Sequence, residues 1–205
     1  NLTGNEDDPE GFGIWASGNG NVLSAGQFAM QDSTFKYYVA RDANADSLVS
    51  HWDQNQNALH AMAALNDATH TDIRPFINNG GKLIVWHGGS DAALSVNSTI
   101  EYMANMQESV GEPNADAATR FYVAPGVNHC GGGVGADTTD LLTVLDQWVT
   151  KGIAPATLTA QKLDANGAVT LTLPLCQYPQ YPRYTGPANN AAAARLAKNY
   201  ACTSP

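Results

Sequence analysis

The chain has 205 residues, 43% of them hydrophobic and 14% charged, which is enough for a full domain plus a subdomain around a packed core. A net charge of −9, from 10 Lys and Arg against 19 Asp and Glu, excludes the basic surface that nucleic acid or an anionic membrane would need as partner. No apolar run of about 20 residues is present, so no membrane-spanning helix is expected.

Residues 1–65 show no clean hydrophobic period and are rich in Gly, Asn and Asp, with scattered aromatics at Phe12, Trp15, Phe28, Phe35, Tyr37, Tyr38 and Trp52. "STFKYYVARD" suits a short strand or a helix, and "QNQNALHAMAAL" reads as a helix. This part reads as an irregular subdomain rather than a self-sufficient core. From residue 66 the character changes. "DIRPFINNGG" predicts a short helix ended by Gly80-Gly81. "KLIVWHG", residues 82–88, is a continuous apolar run stopped by glycines, as expected of a parallel strand buried on both faces. "SVNSTIEYMANMQESVG" predicts a helix with Ile100, Met103 and Met106 on one side, and "TRFYVAPG", residues 119–126, the next strand, completing a right-handed βαβ unit. "DTTDLLTVLDQWVTKG" has the strongest helical pattern. Leu141, Val144, Leu145, Trp148 and Val149 form its apolar face, Asp137 or Thr138 caps its start, and Gly152 ends it. Beyond residue 155 a strand-like "AVTLTL" leads into a Pro/Tyr-rich coil.

Cys176 and Cys202 bracket that coil, which would not stay compact alone, and they are expected to pair in an oxidising compartment. Three buried free thiols in a cytosolic protein are the alternative. Cys130 is then the odd one, beside His129. Two sequons, Asn1-Leu2-Thr3 and Asn97-Ser98-Thr99, point weakly to a secreted glycoprotein. No charged n-region or apolar h-region follows Asn1, so any signal peptide is expected to have been removed or to lie upstream.

Reactive groups in open α/β sheets gather beyond the carboxyl ends of parallel strands. Two loops qualify. "HGGSDAALS" carries His87, Ser90 and Asp91, and "PGVNHCGGG" carries Asn128, His129 and Cys130. With one helix between the strands, both loops are expected at one sheet edge, where Asp91 and His129 can meet. A carboxylate on one imidazole nitrogen fixes the tautomer, so that the other nitrogen can take a proton from a serine hydroxyl. A capping Asp and a backbone-bonded loop His stand as the alternative. No serine sits in a Gly-x-Ser-x-Gly elbow: Ser17, Ser24, Ser33, Ser47 and Ser50 lie in the wrong contexts. Cys130 as nucleophile with an imidazole base is the less favoured arrangement.

"GGKLIVWHGGSDAALS", "YVAPGVNHCGGGVG", "LLTVLDQWVTKGIAP" and "PLCQYPQYPRYTG" with the later Cys202 together resemble the C-terminal part of the tannase/feruloyl esterase family, which includes mono(hydroxyethyl) terephthalate hydrolases. The resemblance runs from about Gly11 to Cys202. It implies an α/β class: the C-terminal portion of an α/β-hydrolase fold with part of an inserted lid. Residues 1–65 would be the C-terminal piece of the lid, and 66–205 the C-terminal part of the catalytic domain.

By the same resemblance Asp91 is the triad acid and His129 the base. Cys130 is half of a disulfide to a Cys beside the serine, outside this chain, and Cys176–Cys202 is the tail bridge. His87, Ala92 and Leu94 are expected near the substrate, with loop packing as the alternative; for Trp15, Phe35, Tyr37 and Tyr38 ordinary lid core is favoured over lid surface facing the aromatic acid. The implied activity is serine-type hydrolysis of galloyl- or feruloyl-type aromatic esters, the serine lying in a missing N-terminal segment and this chain being inactive alone. The family's acidic calcium loop finds no match, so a structural calcium is expected only in the missing lid segment. No catalytic cofactor and no metal ligand are expected here. A terephthalate-monoester hydrolase and a non-catalytic binding subunit of hydrolase fold are the competing readings.

Overall fold

A computed structural model describes residues 6–129 and 131–205, so Cys130 and the Asn1-Leu2-Thr3 sequon lie outside the described residues. The chain forms two compact units, Glu6–His70 and Thr71–Pro205. The sequence pattern divides the chain at 65/66.

The Glu6–His70 unit is wholly helical and turn-like among its described residues. Pro9–Ser17 winds as a wide π-type helix broken at Gly11, and α1 (Gly26–Thr34) runs into a second wide turn at Phe35–Val39. "STFKYYVARD" is therefore helical as far as Val39. A short 3₁₀ turn at Trp52–Asn55 leads into α2 (Gln56–Asn66), the helix expected there. Asp32 organises the unit. Its carboxylate accepts from Lys36 one turn on, at 2.7 Å, and from the hydroxyl of buried Ser47, at 2.8 Å. The hydrogen bond from Lys36, then that from Ser47, holds the Asp32 carboxyl below its ordinary range. Phe35 is buried against Trp52, with ring centroids 4.8 Å apart, so it is core rather than surface. Tyr37 and Tyr38 are exposed, and Trp15 is half-buried.

The Thr71–Pro205 unit is built on one parallel strand pair. After α3 (Arg74–Asn78) come β1 (Leu83–Gly88), α4 (Val96–Val110), α5 (Glu112–Ala118) and β2 (Thr119–Ala124). The two strands pair in parallel from Leu83↔Thr119 to Gly88↔Ala124. β1 is half-buried over most of its length rather than fully buried. The Ser95 hydroxyl accepts from the Asn97 amide at the start of α4, and Met106 and Val110 pack its buried side against Ile73 and Ile77 near α3. α5 is not signalled by any pattern. In its seven residues only Ala115 and Ala118 are buried, too few to register as a period.

Next come α6 (Leu141–Lys151), the hairpin β3 (Leu158–Leu163) and β4 (Val169–Leu175), and the pair β5 (Tyr181–Tyr184) and β6 (Tyr200–Thr203). α6 starts later than its pattern predicts, and its cap is Asp140 rather than Asp137 or Thr138. The physical reason is that Thr138 is already paired, exchanging two backbone hydrogen bonds with Gln161 of β3 (2.9 and 2.8 Å). The Asp140 carboxylate accepts from Thr143, which holds its carboxyl below the usual range. Of the predicted apolar face, Trp148 is buried, with the Arg120 guanidinium 4.8 Å and the Lys82 ammonium 5.4 Å from its ring centre. Val149 is exposed, contrary to the pattern.

The core unites Tyr122, Ala124, Val127, Ala136, Ala160 and Leu175, with Ile84, Trp86, Leu158, Leu171 and Leu173 packed against them. The tail is not coil. β5 and β6 pair antiparallel, and Cys176 and Cys202 are disulfide-bonded, with Cα atoms 5.6 Å apart. Closing this 26-residue separation contributes about 3 kcal/mol in the chain-entropy account.

Candidate active site

Parallel pairing with Gly88 opposite Ala124 sends the two following loops to one edge of the strand pair. Their backbones are joined directly. Gly89 N–H donates to the Ala124 carbonyl at 2.7 Å and Ser90 N–H to the Val127 carbonyl at 3.0 Å. Gly88 permits this approach, because a Cβ there would stand 2.4 Å from the carbonyl oxygens of both Val127 and Asn128. Gly133 has φ +76, and a Cβ on it would lie 2.4 Å from the Gly126 oxygen, so the Gly run folds back on the loop's own backbone. Asp137 pins that run. Its Oδ2 accepts from Gly132 N–H at 2.8 Å and from Lys162 at 3.3 Å.

Within this frame the structure brings Asp91 and His129 together. Asp91 Oδ2 lies 2.8 Å from His129 Nδ1, and its Oδ1 accepts from the amides of Ala93 and Leu94, both at 2.8 Å. A carboxylate only accepts, so His129 Nδ1 carries the hydrogen and Nε2 is the nitrogen left for proton transfer. Asp91 is 6% exposed, so its charge is held by fixed donors rather than by water. The 24% side-chain exposure of His129 leaves its ring accessible from one side.

His87 lies on the other flank of the acid. Its Nε2 is 3.3 Å from Asp91 Oδ2 and 3.1 Å from the Leu94 carbonyl, and its Nδ1 is 2.8 Å from the Thr99 hydroxyl. A hollow of about 200 Å³ opens over these groups, walled by Trp86, His87, Leu94, Val127 and His129 among others. Leu94 is 60% exposed at its rim, while Ala92 is half-buried and takes no part in the lining. A larger groove of about 480 Å³, between α4, α5 and residues 177–179, contains none of these polar side chains. Ser47 is committed to Asp32, and Ser90 is buried beside the acid. Thr99 and Asp137 as loop anchors escape the sequence pattern. The only signals they give are a sequon hydroxyl at the head of a helix and an acidic residue read as a cap. Among the described residues no group of three or more His, Cys, Asp or Glu side chains converges as a metal site, and no helix is long and apolar enough to cross a membrane.

Residues 8–203 match the family profile described as "Tannase and feruloyl esterase". The mono(2-hydroxyethyl) terephthalate hydrolase of Piscinibacter sakaiensis is 40% identical over 140 residues, covering 67% of this chain and 22% of that protein. A probable feruloyl esterase of Arthroderma benhamiae is 35% identical over 173 residues, covering 80% of this chain and 32% of its own length. Among solved structures, an esterase from Aspergillus oryzae superposes with TM-score 0.74 at 27% identity, covering 89% of this chain and 38% of that one. The tannin acyl hydrolase from Aspergillus niger shares the fold alone, at TM-score 0.64 and 22% identity. The chain belongs to the tannase and feruloyl esterase family. It spans between 22% and 38% of the length of these relatives and structural neighbours.

Proposed function

We infer that this chain contributes the acid and the base of a carboxylic-ester hydrolase acting on esters of aromatic acids, within an α/β-hydrolase whose serine lies on a segment outside this chain. The observation that carries this reading is the 2.8 Å contact between buried Asp91 and His129, presented by two loops at one edge of a parallel strand pair. The chemistry follows from the tautomer. His129 Nε2 takes the proton of the serine hydroxyl as the oxygen attacks the ester carbonyl. The imidazolium, held by Asp91, returns that proton to the leaving alcohol. Nε2 then removes a proton from water as water attacks the acyl-enzyme, and the serine is released protonated. Leu94 and Trp86 at the hollow suit the flat, apolar face of an aromatic acid.

Cys130 would link to a cysteine next to that serine, strapping base to nucleophile, and residues 1–65 would belong to the lid. The Cys176–Cys202 bridge supports secretion, since disulfides persist in oxidising compartments. A terephthalate monoester is the second substrate reading, favoured by the 40% identity to the Piscinibacter sakaiensis hydrolase. The test is His129→Ala in the protein that also carries the serine. Turnover of methyl ferulate, methyl gallate and mono(2-hydroxyethyl) terephthalate is expected to fall at least about a thousandfold. Near-native turnover would remove His129 from the mechanism. The ratio of kcat/KM among the three esters separates the two substrate readings.

A further inference from the structure

The His87 side chain is held at three points. A carbonyl oxygen only accepts, so the hydrogen bond of Nε2 with the Leu94 carbonyl (3.1 Å) requires the hydrogen on Nε2, which also lies close to Asp91 Oδ2 (N···O 3.3 Å). In the neutral ring Nδ1 then accepts from the Thr99 hydroxyl at 2.8 Å, which ties the end of β1 to the first turn of α4. The Leu94 backbone is consequently held at both ends, its N–H by Asp91 Oδ1 and its carbonyl by His87. Asp91 in turn has two amides on Oδ1 and the His129 imidazole on Oδ2, with His87 Nε2 in close contact at 3.3 Å from the same Oδ2. The titratable groups sharing the hollow with His87 are Asp91 and His129.

We propose that His87 is a positioning residue for the Asp91–His129 pair: it clamps the acid loop through the Leu94 carbonyl and sets its Nε2–H edge beside the Asp91 Oδ2 that His129 binds. This rests on the ester-hydrolase reading of that pair. The contact is the longer of the two on Oδ2, so His129 keeps the larger part of the carboxylate's charge. The polar N–H edge of His87 beside Oδ2 tempers the hold of that oxygen on His129, while the Leu94 clamp keeps the acid loop in place. His87 thus acts through Asp91, on the aim and the strength of the relay.

The test is imidazole nitrogen and proton NMR on this 205-residue chain. In the unaltered chain His87 is expected as the Nε2–H tautomer. In His87→Phe the proton on His129 Nδ1 moves downfield, because Oδ2 has lost the polar N–H edge beside it. In His87→Gln, whose amide N–H reaches the same acceptors, it returns toward its original position. Thr99→Val serves should His87→Phe fail to fold. It frees the ring to populate the Nδ1–H tautomer, and the His129 proton moves the same way. Finding His87 as the Nδ1–H tautomer in the unaltered chain overturns the proposal, as does an unmoved His129 proton in the folded variants. In the serine-bearing protein, His87→Phe is expected to lower kcat by roughly ten- to a hundredfold with KM held. A raised KM with kcat held would make His87 a substrate contact instead and overturn the positioning role. Absence of ester turnover in the unaltered protein would overturn the reaction while leaving the NMR outcome to decide the geometry.

Discussion

Replacing Asp91 by Asn keeps the shape of the side chain and exchanges one acceptor oxygen for a donor, with consequences set by the contacts on each oxygen. If the amide oxygen keeps the Oδ1 position, it still accepts from Ala93 and Leu94, and the NH₂ then faces the nitrogens of His129 and His87. If the amide is flipped, its NH₂ opposes two backbone N–H groups that cannot change, at about 1–3 kcal/mol for each donor left unmet. An imidazole can move its proton from one nitrogen to the other, so the first arrangement wins. His129 then accepts at Nδ1 and carries its hydrogen on Nε2, the wrong tautomer for removing a proton. The expected loss is about 10⁴ in kcat, equivalent to about 5 kcal/mol on the barrier, with little change in folding. Hydrolysis of methyl ferulate by the serine-bearing protein measures the first quantity. Imidazole nitrogen shifts of His129 in this chain measure the tautomer. Retention of a tenth or more of the activity, or an unchanged His129 tautomer, would refute the reasoning.

The junction of the two loops gives a steric prediction. Gly88→Ala places a Cβ 2.4 Å from two carbonyl oxygens and is expected to cost about 1–3 kcal/mol in urea unfolding. Gly167→Ala, at φ +81 with open space around it, carries only the backbone strain of about 1–2 kcal/mol. Perturbed Asp91 and His129 resonances in the first variant and not in the second would separate the site from general destabilisation, and equal spectra would sink the claim. Tyr122 gives a pH prediction. Burial raises its phenol above the ordinary value of 10.0, with Arg120 opposing, and its hydroxyl donates to the Ala156 carbonyl at 2.7 Å. A raised folded-state value contributes stability that is complete below the unfolded value and is lost as pH rises through the folded one. Tyr122→Phe should therefore be less stable than the parent at neutral pH, by about 1 kcal/mol for the lost hydrogen bond, and the gap should narrow above about pH 10. A gap in melting temperature that stays constant through that range would contradict it.

What the sequence discloses depends on how far its signals reach. The continuous run at 82–88, the helix that follows residue 95 and the strand at 119–126 are local patterns, and each is found within a few residues of its expected place. The start of α6 is different. Its capping choices among Asp137, Thr138 and Asp140 look alike in the chain, and what decides between them is a strand that arrives more than twenty residues later and takes Thr138 into a bridge with Gln161. β3 and the β5–β6 pair are missed for the same reason. Short strands at the edge of a Pro- and Tyr-rich segment gain their order from partners distant in sequence, and from the Cys176–Cys202 link.

The site divides along the same line. Parallel strands joined by helices must deliver their loops to one edge, so the meeting of Asp91 with His129 follows from topology and is visible in residue order. The supports cannot be seen that way, because they are contacts of backbone with side chain. The Leu94 peptide lies between Asp91 and His87, the Thr99 hydroxyl orients the latter ring, and Asp137 holds Gly132. None of these has a characteristic spacing, and two of them depend on where a helix happens to begin. Yet they decide what the pair can do. A carboxylate free to rotate would offer either oxygen to either ring, whereas one whose Oδ1 is claimed by two fixed amides presents Oδ2 in a single direction to His129. The precision of the relay therefore lies less in Asp91 and His129 than in the peptide groups and the second imidazole that leave the acid one orientation.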